Sequence, residues 1–226
     1  IKRKEHSFGS GFFINNSHVV TAFHVIESSY NTDTVSYKIE IKKGDTRITK
    51  VEIKGWDSLT DIALLEIEEE QVDISIDFLS MTGNSQTLQQ GDEIYCLAHH
   101  SGFTSTLTKG IVSATERHAP EVGTWIQIDA NITPGASGGM AIGNDRKIYG
   151  MIVAGLLYED INFIIPSNLI LSVIDRLTKG EQIRRPWIGA LLEETGDNDK
   201  PLRIADLFPT SPLHMYGVKK GYRIVE

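Results

Sequence analysis

Three short segments of the chain carry side chains that, brought together, could attack a carbonyl carbon. Val20-Thr21-Ala22-Phe23-His24-Val25 delivers a histidine at the end of an apolar run, just before a short turn with Glu27, Ser28 and Ser29. Thr60-Asp61-Ile62-Ala63-Leu64-Leu65 puts an aspartate at the mouth of a strand-like run. Pro134-Gly135-Ala136-Ser137-Gly138-Gly139 brackets a serine with glycines in a tight turn. A neutral serine hydroxyl is a poor nucleophile, so an imidazole must accept its proton during attack. The imidazole in turn needs a carboxylate on its other nitrogen, which fixes the tautomer and stabilises the imidazolium. The glycines let the backbone aim N–H groups at one point. In the Gly135-Ala136-Ser137 turn, the N–H groups of Gly135 and Ser137 are the leading candidates to hold an oxyanion, an effect of roughly 3–4 kcal/mol per donor. Each segment alone has an ordinary use, as a strand end, a turn or a glycine-rich hairpin. Together, in this order, His24, Asp61 and Ser137 point to a base, its orienting acid and a nucleophile.

The elements that must position these residues are short strands. From Phe8 to about Phe163 the chain alternates apolar runs with turn residues: Gly11–Ile14, Val19–Ala22, Ser36–Ile41, Ile62–Ile67, Glu93–Ala98, Gly110–Ala114, Trp125–Ile128 and Ile148–Ala154. Such spacing predicts an all-β sandwich or barrel. Leu169, Ile170, Val173, Ile174 and Leu177 then fall at helical spacing, with Ser167 or Asn168 as caps and Gly180 at the far end. After Pro186 the texture changes. Trp187–Leu192 and Ile204–Phe208 read as strands, and the last forty or so residues are too few to enclose an independent core. Residues 1–182 are therefore expected as one domain and 183–226 as the start of another.

Composition excludes several classes. The formal charge is −8, which disfavours a general nucleic-acid surface. No run approaches the eighteen or so apolar residues of a membrane-spanning helix. Cys96 is the single cysteine, which excludes an intrachain disulfide framework and a cysteine-ligated zinc. No metal and no cofactor are implied. The chain begins at Ile1 rather than Met, as it would if a targeting segment had been removed or left out.

At these residues the chain resembles the trypsin-like serine proteases, and their HtrA (Deg) branch in particular. Gly9-Ser10-Gly11-Phe12-Phe13-Ile14 is similar to the Gly-Ser-Gly-Phe motif of its first strand, and Asp61-Ile62-Ala63-Leu64-Leu65 to its Asp-(Leu/Ile)-Ala-(Val/Leu)-Leu motif. Lys109-Gly110-Ile111-Val112-Ser113-Ala114 resembles a Gly-Ile-Val-Ser strand, Asp129 to Gly139 the nucleophile loop, and Phe163-Ile164-Ile165-Pro166-Ser167-Asn168 the segment before the closing helix. The resemblance implies two six-stranded β-barrels with His24, Asp61 and Ser137 in the cleft between them, then a C-terminal helix. It also implies that the tail is the beginning of a PDZ domain, with Trp187-Ile188-Gly189-Ala190 as its loop for a peptide carboxylate. Pro209-Thr210-Ser211-Pro212-Leu213 and Gly217 to Tyr222 fit the same module. By this resemblance the chain is a serine endopeptidase of protein quality control, periplasmic or extracytoplasmic, acting on unfolded or misfolded polypeptides and assembling as a homo-oligomer, a trimer.

The departures are local. Ala136 stands where HtrA relatives carry Asn and chymotrypsin relatives Asp, so activation by a freed N-terminal amine is not expected. Met140 replaces a proline. His99-His100-Ser101-Gly102 replaces a Gly-Asn-Pro-Phe-Gly-like turn and is read as loop, since neighbours on a strand point to opposite faces and make a poor metal pair. The long loop that many HtrA relatives insert before the histidine is absent, and with it the implication of cage-like assemblies. Val153-Ala154-Gly155 is expected to line the substrate groove, with Asn131 and Ile132 at the base of the primary pocket. No unpaired acid is placed there to select Lys or Arg, although Asp129 is near, so small or medium apolar residues are expected at the cleaved position. The competing readings are a chymotrypsin-like peptidase outside HtrA and a protease-fold chaperone or scaffold whose triad is idle at rest.

Overall fold

The computed structural model describes residues 8–30, 41–43, 46–48, 51–67, 78–100, 103–119, 123–156, 161–181, 183, 188–196 and 202–224. The chain divides into two compact units, Ile1–Ile183 and Arg184–Glu226.

In the first unit, β1 (Gly11–Phe13) and β2 (His18–Ala22) form a hairpin. Asn15 closes its turn by accepting the N–H of Ser17 at 2.9 Å and of His18 at 2.8 Å. The helix α1 (Phe23–Tyr30) follows β2 directly, so His24 sits in the first turn of a helix rather than in a strand-end turn. The strands β3 (Ile41–Lys43) and β4 (Thr46–Ile48) pair as a separate sheet. The strands β5 (Val51–Asp57) and β6 (Ile62–Ile67) complete a four-stranded antiparallel sheet in the order β1-β2-β6-β5. Its central strands are buried on both faces. Val20, Ala22, Ile62 and Leu64 enter one cluster, while Val19, Ala63 and Leu65 pack beneath Phe23 and Ile26 of α1. Double burial is why these strands read as nearly continuous apolar runs, interrupted from Val19 to Ala22 only at Thr21 and from Ile62 to Ile67 only at Glu66.

The short helix α2 (Phe78–Met81) leads to six strands: β7 (Glu93–His100), β8 (Phe103–Ala119), β9 (Gly123–Ile128), β10 (Met140–Gly143), β11 (Ile148–Leu156) and β12 (Ile161–Pro166). They close into a barrel in the order β10-β11-β12-β9-β8-β7, with β7 pairing back onto β10. Branched and small side chains fill it, among them Ile94, Cys96, Val112, Ile126, Ile128, Ala141 and Ile152. His99 and His100, expected in a loop, instead end β7, because pairing with β8 continues as far as His100 opposite Phe103. Among the described residues only this second half closes. The expected strand Ser36–Ile41 lies, apart from Ile41, outside them.

The helix α3 (Ser167–Thr178) joins the two halves. Ile170, Val173, Ile174 and Leu177 share one core with Phe12, Ile62 and Leu64 of the sheet and Met151 and Ile165 of the barrel. Each such burial is worth roughly 1.5–3 kcal/mol. Gly180 ends the helix in the left-handed region, φ 71°. The expected caps do not cap. Pro166 takes the N-cap position, because Ser167 Oγ donates to the Gly83 carbonyl (2.7 Å) and Asn168 Oδ1 accepts the Ser85 N–H (3.2 Å).

In the second unit β13 (Ala190–Glu194) pairs antiparallel with β14 (Leu202–Leu207), and α4 (Pro212–Met215) is capped by Ser211. A return segment bonds the other edge of β14, with Ile204 N–H to Tyr222 O at 2.8 Å and Ile224 N–H to Leu202 O at 3.0 Å. Ile204 is its one buried apolar side chain among the described residues.

Candidate active site

The β5–β6 turn delivers Asp61. Asp57, the last residue of β5, accepts the Thr60 hydroxyl at 2.5 Å, and both side chains are buried. Asp61 then adopts φ 57°, a left-handed backbone that aspartate tolerates better than most residues but that still stores strain. The strain is held by three bonds into the start of α1. The Asp61 carbonyl accepts the Phe23 N–H (3.0 Å), Oδ1 accepts the His24 N–H (2.8 Å), and Oδ2 accepts from His24 Nδ1 (2.6 Å). Phe23 stacks on Trp56 of β5, ring centroids 6.0 Å apart, which anchors the helix start from below.

A carboxylate can only accept, so His24 carries its proton on Nδ1 and leaves Nε2 as the basic atom. The Asp61 side chain is 13% exposed and that of His24 45%. The hydrogen bond to Asp61 raises the His24 pKa above the ordinary 6.5, against a smaller opposing effect of burial.

The Ser137 loop is built from backbone. Thr133 to Ala136 form a turn closed by the Ala136 N–H on the Thr133 carbonyl (3.1 Å), with Pro134 second and Gly135 third at φ 96°. That is the residue order a type II turn demands. Ala136 is fully buried in the barrel core and roots the loop there. Gly138 has φ 89°, and a Cβ on it would meet the Ser10 carbonyl at 2.0 Å and Thr21 Oγ1 at 2.7 Å. The loop thus packs against β2, the strand that leads into His24.

The structure joins His24 to Asp61, but it does not hydrogen-bond Ser137 to His24. The Ser137 hydroxyl donates instead to the Val153 carbonyl at 3.1 Å. That carbonyl is available because Val153 sits in a bulge, between the Ile152–Ile164 and Ala154–Phe163 pairs of β11 and β12. Of the three N–H groups in the Gly135-Ala136-Ser137 turn, that of Ala136 is engaged by Thr133. Those of Gly135 and Ser137 donate to nothing among the described residues.

The remaining expected residues are more dispersed. Asn131 is exposed and Ile132 half-buried against the barrel core. The Val153 side chain is buried, so only its backbone can face a ligand. Ala154 and Gly155 pair with Phe163 and Asn162 of β12, and beyond Met151 no strand of the described residues covers the other edge of β11. Asp129 Oδ1 accepts the Ile111 N–H of β8 at 2.6 Å, which commits that carboxylate to the barrel. Trp187 lies outside the described residues. Ile188 is exposed and its carbonyl accepts the Leu213 N–H, Gly189 has φ 73° and accepts the Phe208 N–H, and Ala190 opens β13. Cys96 is no competing nucleophile, since burial pushes its thiol up to about 12. No group of metal-ligating side chains occurs among the described residues. Sequence reasoning missed the parts played by Ser10 and Asp57. Its one available signal was a polar residue held between two glycines at the first strand.

Comparison with known proteins gives these features a context. Residues 9–151 match the family model described as a trypsin-like peptidase domain. A probable periplasmic serine endoprotease, DegP-like, of Marinomonas sp. is 32% identical over 97% of this chain and 48% of its own length. One of the same description from Chlamydia trachomatis is 34% identical over 82% of the chain and 36% of its own length. The chain thus spans about half, or less, of the curated relatives it matches. Among solved structures, the HtrA-type protease AlgW with decapeptide superposes with a TM-score of 0.77 at 23% identity, covering 95% of this chain and 67% of that one. The matched stretch runs from the loop before β1, through His24, Asp61 and Ser137, into β11, and on that ground the chain belongs to the trypsin-like peptidase family, its resemblance within it being to the HtrA-type, DegP-like proteases.

Proposed function

We propose that the chain is a serine endopeptidase that cleaves polypeptides through an acyl-enzyme on Ser137, with His24 as base and Asp61 as its orienting acid. The observation that carries this reading is the doubly anchored His24–Asp61 pair, which leaves Nε2 as the one basic atom of the ring. Rotation of Ser137 between staggered χ1 wells releases its hydroxyl from Val153 and turns it toward Nε2. As Oγ bonds to the substrate carbonyl carbon, its proton passes to Nε2. The resulting imidazolium is stabilised by Asp61 and returns that proton to the departing amine. Water then repeats the sequence to free Ser137. The Gly135 and Ser137 N–H groups take the oxyanion, and Ala136 is left out because its N–H is engaged.

The uncovered edge of β11 at Val153, Ala154 and Gly155 would pair with the substrate backbone. Asn131 and Ile132 would bound a primary pocket for small or medium apolar side chains. The four-stranded sheet with its hairpin is read as the larger part of a first six-stranded barrel. Residues 1–182 are read as the protease domain and 183–226 as the start of a PDZ-like domain, whose Ile188, Gly189 and Ala190, with Trp187, would cap a peptide carboxylate. The DegP-like names, which read periplasmic, support an extracytoplasmic setting. Unfolded or misfolded protein substrates and a trimeric assembly would follow from the sequence resemblance alone.

A protease-fold chaperone with an idle triad is the second reading, and the Ser137–Val153 bond is the feature that would suit it. The unclaimed N–H pair argues against it, since an idle site has no need to hold two donors open. A fluorophosphonate probe decides. Labelling of wild type but not of Ser137→Ala is the expected result, and equal labelling of both would end the serine peptidase reading.

A further inference from the structure

Ser10 is a buried polar residue in the segment before β1, and it makes four hydrogen bonds to three different parts of the fold. Its N–H donates to the Ser137 carbonyl at 2.8 Å, and its hydroxyl donates to the Gly135 carbonyl at 2.8 Å. The same hydroxyl oxygen accepts the His99 N–H at the end of β7 (2.8 Å), and the Ser10 carbonyl accepts Thr21 Oγ1 of β2 (2.7 Å). The hydroxyl therefore has no rotational freedom left: its proton and a lone pair are both committed.

The two bonds to the nucleophile loop act on particular peptide planes. The Gly135–Ala136 peptide is held at both ends, its carbonyl by Ser10 Oγ and its N–H by the Thr133 carbonyl. The Ser137–Gly138 peptide is held at its carbonyl by the Ser10 N–H and at its N–H by the Ile152 carbonyl (2.7 Å). The Ala136–Ser137 peptide is held at its carbonyl by the Gly139 N–H (2.9 Å), so it and the Pro134–Gly135 peptide are set between fixed neighbours. These are the two that carry the unclaimed N–H groups. A donor useful to a transition state must be aimed before the charge develops, because reorientation during reaction spends the energy it would supply.

We infer that Ser10 is a positioning residue for the oxyanion hole: from the β1–β2 side of the fold it locks the loop that aims the Gly135 and Ser137 N–H groups. The inference rests on the serine peptidase reading above. Thr21 is its support, since it fixes the Ser10 carbonyl against which Gly138 packs.

The test compares Ser10→Ala and Ser10→Thr, which removes and keeps the hydroxyl, in the whole chain, with Thr21→Val as a milder variant if Ser10→Ala folds poorly. Peptide hydrolysis, inhibition by a peptide boronate and thermal unfolding are each measured. Ser10→Ala is expected to lose about 10–100-fold in kcat, less than removal of a direct donor, with KM within about threefold of wild type. Boronate affinity should fall in parallel, whereas the acid limb of the pH profile, which reports His24, should not move. Ser10→Thr should recover most of the loss, and Thr21→Val should show a smaller fall of the same kind. If Ser10→Ala lowers the melting temperature but keeps wild-type kcat and boronate affinity well below it, Ser10 is structural only and the inference is overturned. Failure of the underlying reading looks different: wild type itself would then neither hydrolyse peptide nor react with fluorophosphonate.

Discussion

The two sides of the candidate active site are made in opposite ways. On the sheet side, His24 and Asp61 are positioned by side chains: a carboxylate grips both a ring nitrogen and a backbone N–H, behind a buried Asp57–Thr60 bond. On the barrel side, Ser137 is positioned by backbone: a turn, two left-handed glycines and an alanine rooted in the core. The difference follows from what each side must supply. A base needs its pKa and tautomer set, which takes a charged partner. An anion-holding loop needs aimed N–H groups, which takes peptide planes held rigid. The sheet side should therefore fail through charge and the barrel side through shape.

The largest effect expected is at the reacting atom itself. Ser137→Ala should lower kcat by roughly 10⁶-fold while leaving the unfolding midpoint near wild type, read by single-turnover kinetics beside a thermal melt. Next comes the charge test. Asp61→Asn should cost about 10⁴-fold, because the amide permits the wrong tautomer while still tolerating the left-handed backbone. A near-wild-type rate in that variant would break the assignment of the sheet side.

The pH profile sharpens the same contrast. His24 must be neutral to accept a proton, and its pKa lies above 6.5 because of the bond to Asp61. Activity should thus fall as pH drops through a midpoint above 6.5, and substitution of Asp61 should move that midpoint down. The sign for stability is opposite. The pair's contribution is full below pH 6.5 and is lost as pH rises through the folded-state value.

Gly138→Ala tests the barrel side through shape. A methyl group there meets the Ser10 carbonyl and forces an unfavourable φ, so a loss of at least about 2 kcal/mol is expected, visible as a lowered denaturation midpoint. The smallest effect belongs to Thr60→Val, which should cut kcat/KM about tenfold or less. Thr60→Ser should restore it, and the acid limb in Thr60→Val should shift down with the loosened His24–Asp61 bond. A fall in activity without that shift would mean that the turn serves stability alone.

Much of this was legible in the residues. The apolar runs at Val19–Ala22 and Ile62–Ile67 coincide closely with β2 and β6, because strands buried on both faces leave a nearly continuous hydrophobic signal, interrupted only at Thr21 and Glu66. The periodicity of α3 was equally plain, since four of its six apolar residues are buried in one core. Its caps were misread, because Ser167 and Asn168 serve a loop more than eighty residues away in sequence. His99 and His100 were misread for a related reason: a strand's end is set by its partner, here β8.

By itself the sequence determined which groups could do chemistry here and in what order, since residue type fixes what can donate, accept or attack. It also determined that glycines must flank Ser137, because only they adopt the required φ so close to another backbone. Only the tertiary structure decided that the Ser137 hydroxyl rests on Val153 and that Ser10 reaches across to hold the nucleophile loop. Those are facts about partners distant in the chain, and hydrogen bonds between distant residues leave no periodicity for a sequence to show.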